Sequence, residues 1–175
     1  MKLHLGCGKR FIPGFYHIDA VPFEHVHLVH AVDDLSMVES ESVDLAYACH
    51  VLEHFSRKAT LRVLNEWRRM LRQGGVLRLA VPDFAALAKL YIETGDLGKV
   101  IGPLFGRGDY LYNCHFTVFD FVTLKQALEQ VGFRDVRRYD WRTTEHADVD
   151  DYSRSYYPHM DFNGLLLSLN VEATK

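Results

Sequence analysis

The sequence lacks a marked excess of charge of either sign. Its 175 residues carry 20 Lys and Arg against 23 Asp and Glu, a formal net charge of −3. Proteins that bind nucleic acid or anionic membrane surfaces usually present a basic patch, so the charge balance argues against both partners. The apolar fraction of 48% is ordinary for a globular chain, and the length predicts one domain spanning residues 1–175.

Cysteine is also scarce. Cys7, Cys49 and Cys114 are widely spaced and form no CxxC pair, which excludes a disulfide framework and a zinc knuckle. Long apolar runs are missing, so no segment is predicted to span a membrane. The N-terminus lacks the charged start and long apolar core of a secretory signal, so we expect a cytoplasmic protein.

Histidine is frequent, with ten copies, but the copies are scattered. His25 and His27 would share one face of a strand, yet no third ligand follows at a known spacing. Glu53 and His54 are adjacent, and neighbours on a helix point in different directions, so we expect them to brace a wall. We therefore expect no metal.

Patterns typical of strands and helices alternate along the chain. Seven segments are predicted as strands: 2–5, 16–18, 25–31, 42–48, 76–81, 133–141 and 165–173. Three are predicted as helices: 56–72, ended by the glycines that follow, 83–92, capped by Asp83, and 120–131, capped by Asp120. Segments 94–114 and 142–164 show no clear period and are expected to be irregular.

This alternation predicts an α/β fold with a mostly parallel seven-stranded sheet covered on both faces. The last two predicted strands are joined by an irregular segment, which suits an antiparallel pair and places one reversed strand near the edge. The first helix is expected to be shortened or absent, because the segment after Gly8 is short and contains Pro13 and Gly14.

The N-terminal stretch LHLGCGKRFIPGFYHIDA indicates a ligand-binding crevice. Gly6 and Gly8 let the backbone approach a ligand closely, and Asp19 ends the second strand, where a carboxylate can accept hydrogen bonds from ribose hydroxyls. The alternative is a tight turn beside a solvated Asp. A dinucleotide fingerprint needs a small residue where Phe11 stands and an acid about twenty residues on, so NAD and FAD are disfavoured.

Taken together, the motifs LGCG (5–8), VLEH (51–54), VPD (81–83), HFTVFDF (115–121) and SLNVEATK (168–175) resemble class I S-adenosylmethionine (SAM)-dependent methyltransferases. They are especially similar to a small bacterial subfamily often found near polysaccharide-synthesis genes. The resemblance spans nearly the whole chain. It implies a Rossmann-like three-layer sandwich that binds SAM and releases S-adenosylhomocysteine.

The resemblance also implies roles for individual residues. The methionine and ribose part of the cofactor would lie along Gly6, Cys7 and Gly8. Asp19 would accept hydrogen bonds from the ribose hydroxyls. Cys49 and His50, at the end of the fourth strand, would lie beside the sulfonium.

Two further cofactor contacts depart from the family pattern or go beyond it. Relatives often place an Asp near the adenine at the end of strand three, where this chain has Ala31, and Asp33 is the expected substitute. We add Lys9 or Arg10 as the partner of the cofactor carboxylate.

Methyl transfer to a hydroxyl benefits from a general base, and His50 and His115 are the candidates because imidazole titrates near neutrality. The alternative for each is a histidine hydrogen-bonded to backbone.

The irregular segments offer aromatic and polar side chains that suit a saccharide or another small-molecule acceptor: Tyr110, Tyr112, Tyr152, Tyr156, Tyr157 and His159. A lid would come from these loops or from a second subunit of a homodimer.

Three functions are compatible with these observations. The first is SAM-dependent methyl transfer to a small-molecule or glycan-linked acceptor. The second is a non-catalytic SAM-binding protein or partner subunit of the same fold. The third, a nicotinamide oxidoreductase, conflicts with the glycine pattern.

Overall fold

The computed structural model describes residues 1–109 and 112–175. Its strands are β1 (Lys2–Leu5), β2 (Tyr16–Asp19), β3 (Leu28–Val29), β4 (Val43–Cys49), β5 (Leu71–Pro82), β6 (Arg134–Arg138), β7 (Tyr156–Tyr157), β8 (Leu165–Leu166) and β9 (Ser168–Thr174). Seven of them form one sheet in the order β3-β2-β1-β4-β5-β9-β6, and β7 pairs with β8. Of the seven strands that the described residues form in the large sheet, β9 alone runs opposite to the other six, and it pairs antiparallel with β5 and β6. The predicted Rossmann-like α/β fold with one reversed strand near the edge is confirmed.

The helices are α1 (Arg57–Met70), α2 (Phe84–Thr94), α3 (Gly98–Phe105) and α4 (Phe121–Gln130). Both predicted caps are present: the Asp83 side chain accepts from Ala85 N, and Asp120 forms a capping box with Thr123. None of the helices within the described ranges is long and apolar enough to cross a bilayer.

The end of α1 was predicted at the glycines of 73–75, and this was wrong. The helix ends at Met70, and Leu71 is already extended as the first residue of β5. Gly74 and Gly75 instead lie within β5. A Cβ on Gly75 would lie 3.0 Å from the carbonyl oxygen of Val43, so glycine permits β5 to pass close to β4.

The segment 94–114 was predicted to be irregular, yet it contains α3. Gly98, Gly102 and Pro103 interrupt the apolar period that would otherwise indicate a helix. The helix is stabilised by packing, because Val100 is buried in a small core with Leu87 of α2. Tertiary contact therefore outweighs the low intrinsic helix propensity.

No helix lies between β1 and β2, as expected for this short segment. Ile12 and Phe15 are buried there against Leu45 and Tyr47 of β4, so the loop covers the sheet where a helix would otherwise pack. Strand β3 is shorter than predicted, with Leu28–Val29 in place of 25–31.

The two faces of the central strands differ in polarity. Leu3 and Leu5 of β1 pack with Trp67 of α1 in the main core. Side chains alternate along a strand, so His4 points to the opposite face, where it stacks on Tyr47 with ring centroids 5.3 Å apart. This face is covered mainly by irregular segments and contains several buried imidazoles.

Burial keeps these imidazoles neutral. The pKa of His4 is lowered to about 3, chiefly by burial and then by the neighbouring His17 and His146. Burial likewise lowers the pKa of His17 to about 4. The Nε2 of His17 accepts a hydrogen bond from Ile12 N at 2.9 Å, which protonation of that nitrogen would abolish.

We expect the protein to lose stability as the pH falls from 6.5 towards 4. In that range the unfolded chain binds protons at His4 while the folded chain does not, so the free energy of unfolding decreases with decreasing pH. His4 alone should account for up to roughly 1.4 kcal/mol per pH unit. Urea denaturation at several pH values measures this slope.

The variant His4→Phe keeps a ring beside Tyr47 and removes the titrating group. In this variant the free energy of unfolding should depend less on pH, because about one proton fewer is taken up on unfolding. The variant His159→Phe, at an exposed position, should keep the wild-type slope. An unaltered slope in His4→Phe would show that His4 does not couple stability to pH.

Candidate functional site

A cleft of about 670 Å³ opens at the carboxyl ends of β1, β2, β4 and β5. The chain places β2 and β3 on one side of β1 and β4 and β5 on the other, so the strand order reverses here. Ligands of open α/β sheets bind at this point, and pockets for small ligands measure about 300–1,000 Å³. The opposite wall comes from the end of α3 and from segments 112–116 and 151–155.

The cleft brings together all the residues that were predicted to bind the cofactor or to act in catalysis. It is lined by Gly6, Cys7, Gly8, Lys9, Asp19, Asp33, Cys49, His50 and His115. These residues lie in or beside five successive connections of the sheet, from the turn after β1 to the segment between β5 and β6. The structure thus establishes their proximity, while the role of each stays a prediction.

Asp19 fixes the glycine turn. Its Oδ2 accepts a hydrogen bond from Gly8 N at 2.7 Å, and its Oδ1 accepts one from Val21 N at 2.8 Å. The side chain is nearly buried, with 8% exposed. A carboxylate oxygen can accept two hydrogen bonds, so each oxygen retains one lone pair for a hydroxyl of a ligand.

The two glycines of the turn are required for different reasons. Both have positive φ, +61° at Gly6 and +52° at Gly8. A Cβ on Gly6 would lie 2.6 Å from Cγ2 of Val51, so this glycine also permits close packing beneath the end of β4. A Cβ on Gly8 would meet nothing within 4 Å, which leaves open space beside the turn.

Two thiols of the cleft, those of Cys7 and Cys49, are protonated and free of disulfide bonds. Burial, assisted by the charge of Asp19, raises the pKa of Cys7 to about 12. Burial also raises the pKa of Cys49 well above its ordinary value, and neither cysteine forms a disulfide. A thiolate nucleophile or a redox pair is therefore not supported here.

Of the polar residues at the mouth of the cleft, Arg10 and Asp33 already have partners within the protein. Lys9 is exposed. The guanidinium of Arg10 donates to the carbonyl oxygen of Asp150, which ties the glycine turn to the C-terminal irregular segment. Asp33 forms an ion pair with Arg62 at 2.7 Å, so one of its oxygens is already used.

His50 follows β4 directly and adopts a positive φ of +54°. This conformation is uncommon for a non-glycine residue, and such residues cluster at functional sites. The backbone is held by the bond from His50 N to Ala80 O at 2.8 Å. The ring lies 3.3 Å from Ser168 Oγ through Nε2 and 3.3 Å from Glu53 Oε1 through Nδ1. Burial lowers its pKa to about 3.

His115 is half-buried and held by backbone contacts on one side. Its main-chain N donates to Phe105 O at 3.0 Å, and its Nδ1 lies 2.8 Å from Pro103 O. Donation from Nδ1–H leaves Nε2 with a free lone pair. Burial lowers the pKa of this imidazole, so it is neutral near pH 7 and able to accept a proton.

Glu53 braces the cleft wall as expected, through its carbonyl oxygen, which accepts from Phe116 N at 2.8 Å and Thr117 N at 3.2 Å. The side chain was not predicted to belong to the site. It is 1% exposed, and burial raises its pKa to about 8. Its carboxyl group lies near the rings of His54 and His115.

The grouping of Glu53, His54 and His115 was not predicted from the sequence. The motif VLEH supplied two of the three, but adjacent residues gave no sign that both side chains would converge on a histidine far along the chain. The convergence depends on the hydrogen bonds that dock segment 112–117 on the turn at 52–54.

The aromatic residues proposed for an acceptor divide into two groups. Tyr112 and Tyr152 line the cleft, and the ring of Tyr152 lies 5.2 Å from that of His50. Three others do not line it: Tyr156, Tyr157 and His159. Tyr110 lies outside the described residues.

Comparison with protein families gives one match. A family model described as a methyltransferase domain matches residues 17–79, from β2 into β5, which is little more than a third of the chain. No curated protein matches with significance.

Solved structures match over almost the entire chain. A SAM-dependent methyltransferase from Archaeoglobus fulgidus has a TM-score of 0.60 at 16% identity, covering 99% of this chain and 85% of that one. The 1,6-didemethyltoxoflavin-N1-methyltransferase of Burkholderia thailandensis, solved with S-adenosylhomocysteine, has a TM-score of 0.59 at 16% identity, covering 99% and 70%.

A third match occurs in a complex of the Haloferax volcanii Trm112 methyltransferase activator, with a TM-score of 0.58 at 14% identity and coverage of 99% and 80%. At such identities these likenesses establish the fold alone.

Proposed function

We propose that the protein transfers a methyl group from SAM to a small-molecule or glycan-linked acceptor, as a single-domain cytoplasmic enzyme. The observation that carries the proposal is the glycine turn pinned by Asp19 at the reversal of strand order, facing the end of β4 across one cleft. The methyltransferase-domain match over residues 17–79 supports it.

The residues of the cleft fit the cofactor. Asp19 retains one lone pair on each oxygen for the two ribose hydroxyls, and the open side of Gly8 leaves room for the ligand beside the turn. SAM has no phosphate, so the missing helix after β1 removes no contact that the cofactor needs. Lys9 would contact the cofactor carboxylate. Asp33 would contact the adenine through its remaining oxygen.

Bound SAM supplies an electrophilic methyl group on a sulfonium. The chain contributes placement, since holding the reactants in register accounts for much of the barrier reduction in such displacements. Cys49 and His50 would flank the reacting end of the cofactor, and the protonated thiol of Cys49 does not compete for the methyl group.

Proton removal from a hydroxyl acceptor is assigned to His115. A general base works best when its pKa lies near the operating pH, and the pKa of about 3 makes His50 the weaker base. His50 is assigned a positioning role at the end of β4. His115 keeps Nε2 available because Nδ1 is committed to Pro103 O.

The acceptor would enter between Tyr112 and Tyr152, which are half-exposed and line the cleft. Aromatic faces and phenolic hydroxyls suit the alternating apolar and hydroxyl surface of a sugar or other polyol. A second copy of the chain would complete the lid over this entrance.

Calorimetric titration with SAM, S-adenosylhomocysteine and NADH tests the cofactor assignment. We expect micromolar dissociation constants for the two sulfur compounds and no binding of NADH. Tight binding of NADH would replace the proposal by a dinucleotide-dependent function. Absence of binding by all three would show that the cleft does not hold the cofactor.

A non-catalytic SAM-binding subunit is the second candidate, favoured by the ion pair that occupies one oxygen of Asp33. Incubation with methyl-labelled SAM and a panel of saccharide, phenol and amine acceptors separates the two. Labelled product from the wild type, absent in Asp19→Ala, supports the enzyme. Cofactor binding without product across the panel supports the subunit.

A further inference from the structure

We infer that Glu53, His54 and His115 form a binding site for a divalent transition-metal ion of the Zn²⁺ class in the acceptor half of the cleft. Among residues 1–109 and 112–175, this is the only group of three His, Cys, Asp or Glu residues whose ligand atoms all lie within 4.8 Å of one another. The scarcity of cysteine excludes thiolate sites only, and this donor set consists of nitrogen and oxygen.

Each of the two imidazoles has one ring nitrogen beside a backbone carbonyl, as metal-binding histidines usually do. The Nδ1 of His54 lies 3.1 Å from Cys114 O, and the Nδ1 of His115 lies 2.8 Å from Pro103 O. A histidine that binds a metal commonly donates its other ring N–H to a backbone carbonyl, which fixes the tautomer and the ring plane. The two rings meet edge to face, with centroids 4.8 Å apart.

Glu53 supplies an otherwise unexplained group. Its carboxyl is 1% exposed, and neither oxygen has a well-aligned hydrogen bond within the described part of the chain. The nearest polar contact is that of His50 Nδ1, 3.3 Å from Oε1. Buried polar groups nearly always have partners, and an orphaned pair of carboxyl oxygens is costly. A cation bound at this position would satisfy both the charge and the lone pairs of the carboxylate.

Backbone hydrogen bonds preorganise the three ligands. Phe116 N and Thr117 N donate to Glu53 O, and the hydroxyl of Thr117 donates to Phe55 O at 2.7 Å. His115 N is bonded to the end of α3. The segment that carries His115 is thus fixed on the turn that carries the other two ligands, so little ordering is required on binding.

The donor set indicates the class of ion. Two imidazoles and one carboxylate suit Zn²⁺ and related transition ions, whereas Mg²⁺ and Ca²⁺ prefer oxygen donors. Ligand atoms at about 2.0–2.2 Å from a tetrahedral Zn²⁺ lie about 3.4 Å apart. Atoms that already lie within 4.8 Å of one another can reach this separation by small side-chain movements. Three protein ligands leave a fourth position open, as in catalytic zinc sites.

The role of the ion rests on the proposed function. His54 and His115 line the cleft, and an acceptor hydroxyl at the open position would lose its proton to water more readily. The resulting oxygen would attack the methyl carbon, the carbon–sulfur bond would break, and S-adenosylhomocysteine would leave. His115 would then act as a ligand and not as a free base.

Calorimetric titration of chelator-stripped full-length protein with ZnCl₂ tests the site, supported by the visible spectrum after addition of CoCl₂. We expect one ion per chain, no competition by Mg²⁺, and affinity at least tenfold weaker in Glu53→Gln, His54→Gln and His115→Gln. His159→Gln, at an exposed position outside the cleft, is the matched control. Circular dichroism verifies folding of each variant.

Sub-stoichiometric zinc binding, or binding that survives the three substitutions, would overturn the site. If a variant fails to fold, the remaining two and the cobalt spectrum of the wild type decide. SAM is titrated separately into the same preparations. If the protein binds SAM and does not bind Zn²⁺, only the metal site is overturned. If it binds Zn²⁺ and does not bind SAM, only the proposed function is overturned.

Discussion

Replacing Asp19 by Ala is expected to weaken SAM binding at least a hundredfold. The substitution removes two acceptors for the ribose hydroxyls, and each hydrogen bond to a charged group contributes about 1.5–3 kcal/mol. It also leaves Gly8 N and Val21 N without their acceptors, so the glycine turn loses the contacts that hold it open. Calorimetric titration of the variant with SAM and S-adenosylhomocysteine measures the effect.

Asp34→Asn is the matched control, because Asp34 is an exposed carboxylate outside the cleft that also accepts from a nearby backbone N–H. Its affinity for SAM should equal that of the wild type. Asp19→Asn should fall between the two, since one oxygen is retained. Wild-type affinity in a folded Asp19→Ala protein would remove Asp19 from the cofactor site.

Replacing His115 by Gln is expected to lower methyl-transfer turnover at least a hundredfold and to change SAM affinity by no more than about twofold. General-base catalysis typically contributes 10²–10⁴-fold, and Gln cannot accept the proton. The cofactor contacts assigned to β1, β2 and β4 do not include His115, so binding should persist. Turnover with saturating SAM and titration with S-adenosylhomocysteine provide the two measurements.

His54→Gln separates the two ways in which His115 can act. If His115 is a free base, His54→Gln should retain turnover within about threefold, and chelators should have no effect. If both histidines bind a metal ion, the two variants should lose activity together, and chelation of the wild type should do the same. Normal turnover in folded His115→Gln would leave His115 as the tether between α3 and the turn at 52–54.

The order of elements along the chain was predictable because it depends on local pattern. Alternation of apolar runs with helical periods indicated the parallel sheet, and Asp83 and Asp120 marked helix starts through short-range hydrogen bonds. The missed elements are α3 and the short strand β7. Helix α3 carries two glycines and a proline and is stabilised by its contacts with α2. The end of α1 was misplaced because the glycines at 74–75 serve the packing of β5 on β4.

Part of the site was predictable for the same reason. Gly6, Gly8 and Asp19 lie within one short stretch, and their geometry is set by the two strands that flank them. The contacts of Glu53, by contrast, were not visible in the motif VLEH. The segment that docks on this turn, residues 114–117, lies far along the chain.

The sequence alone determined the fold class, the reversed strand, the absence of the first helix and the residues that end the strands. These features follow from local propensity, from periodicity and from the limited ways in which strands and helices connect. Tertiary structure decided which strand ends face one another and how the irregular segments close the cleft. Tertiary structure also decided that His115 lies beside Glu53 and His54, because this arrangement requires hydrogen bonds between segments that share no local pattern.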